Sequence, residues 1–311
     1  MKLRNLAGTA LLGVGAMAAI NTGLRYDGDL ESPLVGDEGT FRWRGMDVAY
    51  TEGGDPEAPD LVLLHGINAA GSSGEWREVF GDLTADYHVV APDFPGYGRS
   101  DRPPLRYSAA LYEDFVRDFL STFDEPAIVA SSLSAAYAAA ADDIDLSGFV
   151  AVCPTTRAGP SPPKSPLREL IRAPLVGQAV FNLIVSKPSI RYFNADHGYD
   201  DPANPTDEWV DYEWRTTHVE NARFAPASFI SGYLTSDIDL TVALADLDVP
   251  PTIVWGREAE VSPLTEGREL ADAVESARLV VFDRAKLLPH VEHPNRFLET
   301  VRESLVAGAT A

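Results

Sequence analysis

A pair of serines stands where an apolar run meets a run of small residues: Ile128-Val129-Ala130-Ser131-Ser132-Leu133-Ser134-Ala135, continuing as an alanine-rich stretch to Ala141. A serine held at a sharp strand-to-helix turn points its Oγ away from the turn. The next N–H, here on Leu133 at a helix N-terminus, can then bind negative charge developing on a carbonyl oxygen. That is the chemistry of acyl transfer by a serine nucleophile. The bland alternative is that Ser132 caps the helix, as serines often do. Such a turn accepts only small residues two before and two after the serine. Ala130 and Ser134 are small, although each Cβ adds strain where glycine would add none. Metal chemistry is not expected, because His290 and His293 alone stand at ligand spacing and their i,i+3 pair lacks a third ligand. No glycine-rich phosphate loop follows the first parallel strand, so no cofactor is implied. The single cysteine, Cys153, excludes an internal disulfide and reads as a small buried hydrophobe.

The elements that must position Ser132 alternate between strand and helix from about Thr40. Phe41 to Trp43 and Met46 to Thr51 read as two antiparallel strands joined at Arg44-Gly45. Leu61 to Leu64, His88 to Ala91, Ala127 to Ala130 and Gly148 to Val152 are short apolar runs closed by turn residues. They suit strands of a parallel sheet covered on both faces. Ala110 to Phe123 has the period of an amphipathic helix. Thr252 to Trp255 and Arg278 to Phe282 supply two further strands. They follow a long interval that reads as helices over Pro166 to Val185, Thr206 to Thr217 and Ala225 to Ser236. The expected architecture is α/β: a mostly parallel sheet with helices on both faces and a helical cap inserted between the sixth and seventh strands. The expected division is residues 1–39 as an apolar segment and linker, 40–153 with 248–311 as the core, and 154–247 as the cap.

Four signatures in order carry a family resemblance. Leu61-Val62-Leu63-Leu64-His65-Gly66-Ile67 is a strand and His-Gly turn, and Ala91-Pro92-Asp93-Phe94-Pro95-Gly96-Tyr97-Gly98-Arg99-Ser100 is an Asp-x-x-Gly-x-Gly-x-Ser turn. The Ser132 turn comes third and the strand Pro251-Thr252-Ile253-Val254-Trp255-Gly256 fourth. Over about residues 40 to 306 this set resembles the α/β-hydrolase fold superfamily, with its serine nucleophile and helical cap. The resemblance implies that Ser132 sits at the nucleophile elbow, and that the Ile67 and Leu133 amides form the oxyanion hole.

The rest of the triad departs from that pattern. The acid expected three residues after Gly256 is replaced by Ala259, with Glu258 and Glu260 as flanking substitutes if the loop shifts by one residue. The alternative acid site after the sixth strand, Phe149 to Thr155, offers none. The family's Gly-His-x-x-His-x-Glu-x-Pro pattern aligns with Lys286-Leu287-Leu288-Pro289-His290-Val291-Glu292-His293-Pro294, so the catalytic histidine position holds Leu287. Leucine cannot accept a proton. His290 is the substitute base to consider, while His65 reads as structural and His218 as a solvated histidine of the cap.

The chain carries 47 Asp and Glu against 25 Lys and Arg, four of them Lys, for a net charge of -22. So acidic a surface repels nucleic acid and anionic lipid heads. It looks like the composition of proteins from salt-loving organisms, whose carboxylates keep them hydrated while salt screens their repulsion. Lys2 and Arg4 precede an uncharged stretch, Asn5 to Leu24, that reads either as a weak export signal or membrane anchor, or as a helix packed on the domain. The corresponding expectation is membrane association or export through residues 5–24, with a cytoplasmic location as the alternative.

Three functions fit this set. One is a hydrolase of small or lipid-like esters with a rearranged base and acid. Another is an inactive hydrolase scaffold binding an apolar ligand under the cap. The last is a cofactor-free lyase or similar enzyme using the oxyanion hole without covalent catalysis. The first is preferred, because Ser132 and both oxyanion turns would have little reason to persist together otherwise.

Overall fold

The computed structural model describes residues 15–308. Eight strands form one sheet: β1 (Asp37–Trp43), β2 (Met46–Gly53), β3 (Asp60–Leu64), β4 (His88–Pro92), β5 (Ala127–Ser131), β6 (Gly148–Val152), β7 (Thr252–Gly256) and β8 (Arg278–Phe282). Their order is β1-β2-β4-β3-β5-β6-β7-β8. β1 and β2 pair antiparallel, as do β2 and β4, and every later pairing is parallel. Strands β3 to β7 are nearly continuous apolar runs because both of their faces are covered, whereas the edge strand β8 is mostly half-buried. Val62, Leu64, Ile128 and Ile253 join one core cluster, and Leu61, Leu63, Val129 and Val254 join the other. This is the expected α/β-hydrolase architecture.

Local chemistry fixes the helix ends. The helix Ala109–Leu120 starts where the Ser108 side chain accepts from Leu111 N, and the helix Asp207–His218 starts where Thr206 accepts from Trp209 N. Between β6 and β7 the structure is helical, with helices at Lys187–Phe193 and Leu240–Ala245 that the sequence reading did not expect and two expected helices altered. The helix expected over Pro166 to Val185 is two, Ser165–Arg172 and Val176–Ile184. Pro174 lacks an N–H, disfavours helical backbone at Ala173, and is followed by Leu175 at φ 59°. The helix expected to reach Ser236 spans Phe224–Ile230 and stops before Gly232, whose φ is 87° and whose missing Cβ would lie 2.2 Å from Pro160 O.

At the N-terminus, residues 15–23 are helical, and residues 5–14 of the apolar stretch lie outside the described residues. Among the described residues no helix is long and apolar enough to cross a membrane.

The ion pairs of the surface, such as Arg42–Asp47, Arg257–Asp283 and Arg302–Asp86, join largely exposed side chains, each worth on the order of 0–1 kcal/mol. They cannot offset the repulsion implied by a net charge of -22. We therefore expect the melting temperature to fall as salt is taken from molar to millimolar, because unscreened carboxylates act against the compact state. A melting temperature unchanged across that range, followed by circular dichroism, would make the acidic composition incidental.

Candidate active site

The carboxyl ends of the central strands bring the sequence's signatures to one edge of the sheet. Ser131 pairs with Val152, and Val152 with Val254, so the turns that leave β5, β6 and β7 begin side by side. Ser132 N donates to Val152 O at 2.8 Å, and Cys153 N donates to Val254 O at 2.8 Å. Both residues have positive φ, 56° at Ser132 and 42° at Cys153. At Ser132 the backbone (φ 56°, ψ -124°) reverses direction between β5 and the helix Leu133–Ala139. Non-glycine residues in such regions carry roughly 1–3 kcal/mol of strain, which the surrounding sheet must enforce. Ser132 is partly exposed between buried neighbours, and its side chain makes no capping bond to the helix. The simple capping role is therefore not realised.

Two residues away, Ser134 supplies more than small size. It is fully buried, and its hydroxyl donates to His65 O at 2.5 Å, tying the elbow helix to the His65-Gly66 turn. His65 is structural: Phe94 N donates to its Nε2 at 3.1 Å, leaving Nδ1 to donate to Gly66 O at 2.8 Å. Burial pushes its pKa below the ordinary value, consistent with that neutral tautomer. Among the described residues neither the Ile67 nor the Leu133 amide donates to a protein acceptor.

The sequence reading missed Glu75. It is buried, and its Oε2 accepts from Gly66 N at 2.7 Å. A Cβ placed on Gly66 would lie 3.1 Å from Glu75 Oε2, 3.1 Å from Ser131 Oγ and 3.6 Å from Ser132 Cβ. This carboxylate therefore sits directly behind the Ser131-Ser132 turn. Beside it lies His290, fully buried, with Nε2 at 3.4 Å from Glu75 Oε1, a contact whose alignment falls short of a hydrogen bond. Trp76 lies 4.6 Å from the His290 ring, centroid to centroid, and Phe297 5.5 Å. Burial pushes the Glu75 carboxyl up, but His290, Ser131 and His65 together hold it below the ordinary value. The available signal was a lone Glu in the small-residue run Ser72-Ser73-Gly74-Glu75-Trp76.

Among the described residues the remaining candidates make no hydrogen bond to Ser132. Leu287 packs against the same core cluster that contains buried Ala259, so apolar packing occupies the stretch where a histidine and an acid were expected. Glu258 is joined to Ala285 in both directions: its N donates to Ala285 O at 3.0 Å, and its Oε2 accepts from Ala285 N at 3.0 Å. Glu260 is exposed. His218, expected to be solvated, is instead buried, with Nδ1 at 2.7 Å from Trp214 O and its ring 4.2 Å from that indole. His293 Nε2 donates to Arg284 O at 2.9 Å.

The loop carrying Leu287 is anchored to the helical insertion. Lys286 Nζ donates to Ala195 O at 2.9 Å and Asp196 O at 3.1 Å, within the π-helical turn Asn194–Gly198. Glu292 Oε2 accepts from Lys286 N at 3.1 Å. Its Oε1 accepts from Asp200 N at 2.9 Å, Asp201 N at 3.1 Å and Asn204 Nδ2 at 3.1 Å. Nearby in the insertion, burial raises the Glu213 carboxyl to about 7, while Asn194 Nδ2 donates to its Oε2 at 2.7 Å.

The strand order, the elbow and the His-Gly turn agree with a match to the model of the alpha/beta hydrolase family over residues 61–300. The chain belongs to the alpha/beta hydrolase family. An uncharacterized protein of Mycobacterium tuberculosis is 28% identical over 262 residues, covering 78% of this chain and 74% of that one. A pimeloyl-[acyl-carrier protein] methyl ester esterase of Vibrio atlanticus is 24% identical, over 78% of this chain and 92% of the esterase. Among solved structures, a 2-hydroxy-6-oxo-6-phenylhexa-2,4-dienoate hydrolase from Rhodococcus has a TM-score of 0.72 at 21% identity, covering 87% of this alpha/beta hydrolase chain and 99% of its own. A bacterial membrane phospholipase A has a TM-score of 0.71 at 20% identity, with all of both chains covered. These structural likenesses show the fold.

Proposed function

We propose that this alpha/beta hydrolase cleaves small or lipid-like esters through Ser132, slowly, because no histidine takes the serine's proton. The strained backbone of Ser132 carries this reading: φ 56° and ψ -124° on a non-glycine residue with no capping bond. That geometry holds the hydroxyl out of the turn, and strain of this kind persists where a site requires it. The Ile67 and Leu133 amides, not spent on protein acceptors, are the donors for the tetrahedral oxyanion. An esterase and other hydrolases among the similar proteins support the reaction class. In this reading His290 does not serve as base, since its ring is fully buried against Trp76 and faces Glu75. Glu258 is engaged by the Ala285 amide and orients no imidazole. Losing the base of a triad costs on the order of a millionfold, leaving roughly a thousandfold over water from the oxyanion hole and binding.

A serine-directed fluorophosphonate tests this. Slow labelling that maps to Ser132 by mass spectrometry and vanishes in Ser132→Ala is expected, with a faint p-nitrophenyl butyrate activity following the same pattern. Fast labelling abolished by His290→Ala would overturn the assignment of His290 as a buried partner of Glu75. Labelling unaffected by Ser132→Ala would overturn the nucleophile.

A further inference from the structure

The charge of the chain is unevenly distributed. Residues 154–193, at the start of the helical insertion, hold six Lys and Arg and a single acid, Glu169, in a protein with 47 Asp and Glu. The same short stretch holds six of the eleven large hydrophobic side chains left exposed among the described residues. Leu183 is the most open of the six, at 73%. On the helix Val176–Ile184, Val176 and Leu183 are separated by seven residues, with Ala179 and Val180 between them and partly exposed, so they line one apolar face.

The N-terminal helix is joined to this face. Asn21 Nδ2 donates to Leu175 O at 2.9 Å, and Asn182 Nδ2 donates to Asn21 Oδ1 at 3.2 Å. Ile20, 61% exposed, precedes that junction. In sequence, the residues that precede this helix carry Lys2, Arg4 and no acid. Lys187 and Arg191 pair with Asp211 and Asp207, so the face is close to neutral rather than strongly basic.

We propose that this acid-poor apolar face, formed by Ile20, Leu175, Val176 and Leu183, docks the protein on a lipid bilayer surface. Elsewhere the dense carboxylates repel a membrane, whereas here apolar side chains can enter the headgroup region without bringing buried charge with them. The contact is apolar in origin, so salt strengthens it by screening the carboxylates around it. Docking is independent of whether Ser132 is catalytic, and it places the helical insertion, rather than the sheet edge at β1, against the membrane.

Flotation of the full-length protein with phosphatidylcholine vesicles, alone and with added phosphatidylglycerol, tests the proposal at molar salt. Wild type is expected to float with both compositions. Val176→Asp with Leu183→Asp should lower the partition by at least about tenfold, since two exposed apolar anchors become charges. Val242→Asp, changing an equally exposed valine (54%) outside this face, should leave it unchanged. Melting curves confirm that the variants fold. Flotation of the double variant like wild type overturns the proposal, as does loss of binding on deleting residues 1–14 with no effect of the double change. A wild-type dimer that the double variant converts to monomer, without flotation, would instead assign the face to a second copy of the chain.

Discussion

Replacing Leu287 with His and Ala259 with Asp together should raise hydrolysis of an activated phenyl ester at least roughly a hundredfold, the usual contribution of a positioned general base. Both positions lie in one core cluster at the carboxyl edge of the sheet, Leu287 partly buried and Ala259 buried. An imidazole at 287 is expected to take the Ser132 proton, with a carboxylate at 259 setting its tautomer and stabilising the imidazolium. Leu287→His alone should give part of the gain, and adding Ser132→Ala should remove all of it. The pH profile is the second readout. The restored enzyme should gain activity as pH rises through the pKa of the new imidazole, near 6.5 if unperturbed. A rate unchanged by the double substitution, in a protein that melts normally, would mean that Leu287 does not stand where the family's histidine stands.

Glu75→Ala should damage the fold. It removes the acceptor of Gly66 N–H and leaves the buried His290 ring without the carboxylate beside it. Losing a charged acceptor from a buried N–H costs about 1.5–3 kcal/mol. In a domain of this size that corresponds to a fall of roughly 3–10 °C in melting temperature. The pH dependence has a definite sign. Because the Glu75 carboxyl is held below its ordinary value of 4.5, its stabilisation is present above that value and is lost as pH falls through the lower folded value. Wild type should therefore lose stability on acidification below about 4.5 more steeply than Glu75→Gln, which keeps the shape but has no charge to titrate. Equal acid slopes in the two proteins would show that the carboxylate is not ionised in the fold.

The strands were readable because a doubly covered parallel sheet imposes apolar runs with turn residues at their ends, and each of the eight begins or ends within a few residues of its expected place. The helical insertion was less readable. Pro174 splits one apolar period into two helices, and the apolar pattern alone does not show that break. At the site, the Ser132 turn was legible from small residues at 130 and 134. The hydrogen bond from Ser134 to His65 O was not, because it joins positions 69 residues apart. Glu75 was hidden for the same reason: its partners, Gly66 and His290, are assembled by the fold from three separate segments. His218 was misjudged because its burial depends on Trp214 one turn away, a local contact that an i,i+4 inspection of the helix would have suggested.

The anchoring of Lys286 and Glu292 bears on how far the loop and the insertion can separate. Six hydrogen bonds join the loop at residues 286–292 to the insertion at residues 195–204 or brace the loop itself. A ligand that enters by lifting this part of the insertion must break several of them at once. Admission should then be slow and strongly temperature-dependent, and anything admitted should leave equally slowly. Trimming Lys286 to glycine, the residue the family pattern carries there, removes two of these bonds and should loosen the join between the loop and the insertion without touching the serine.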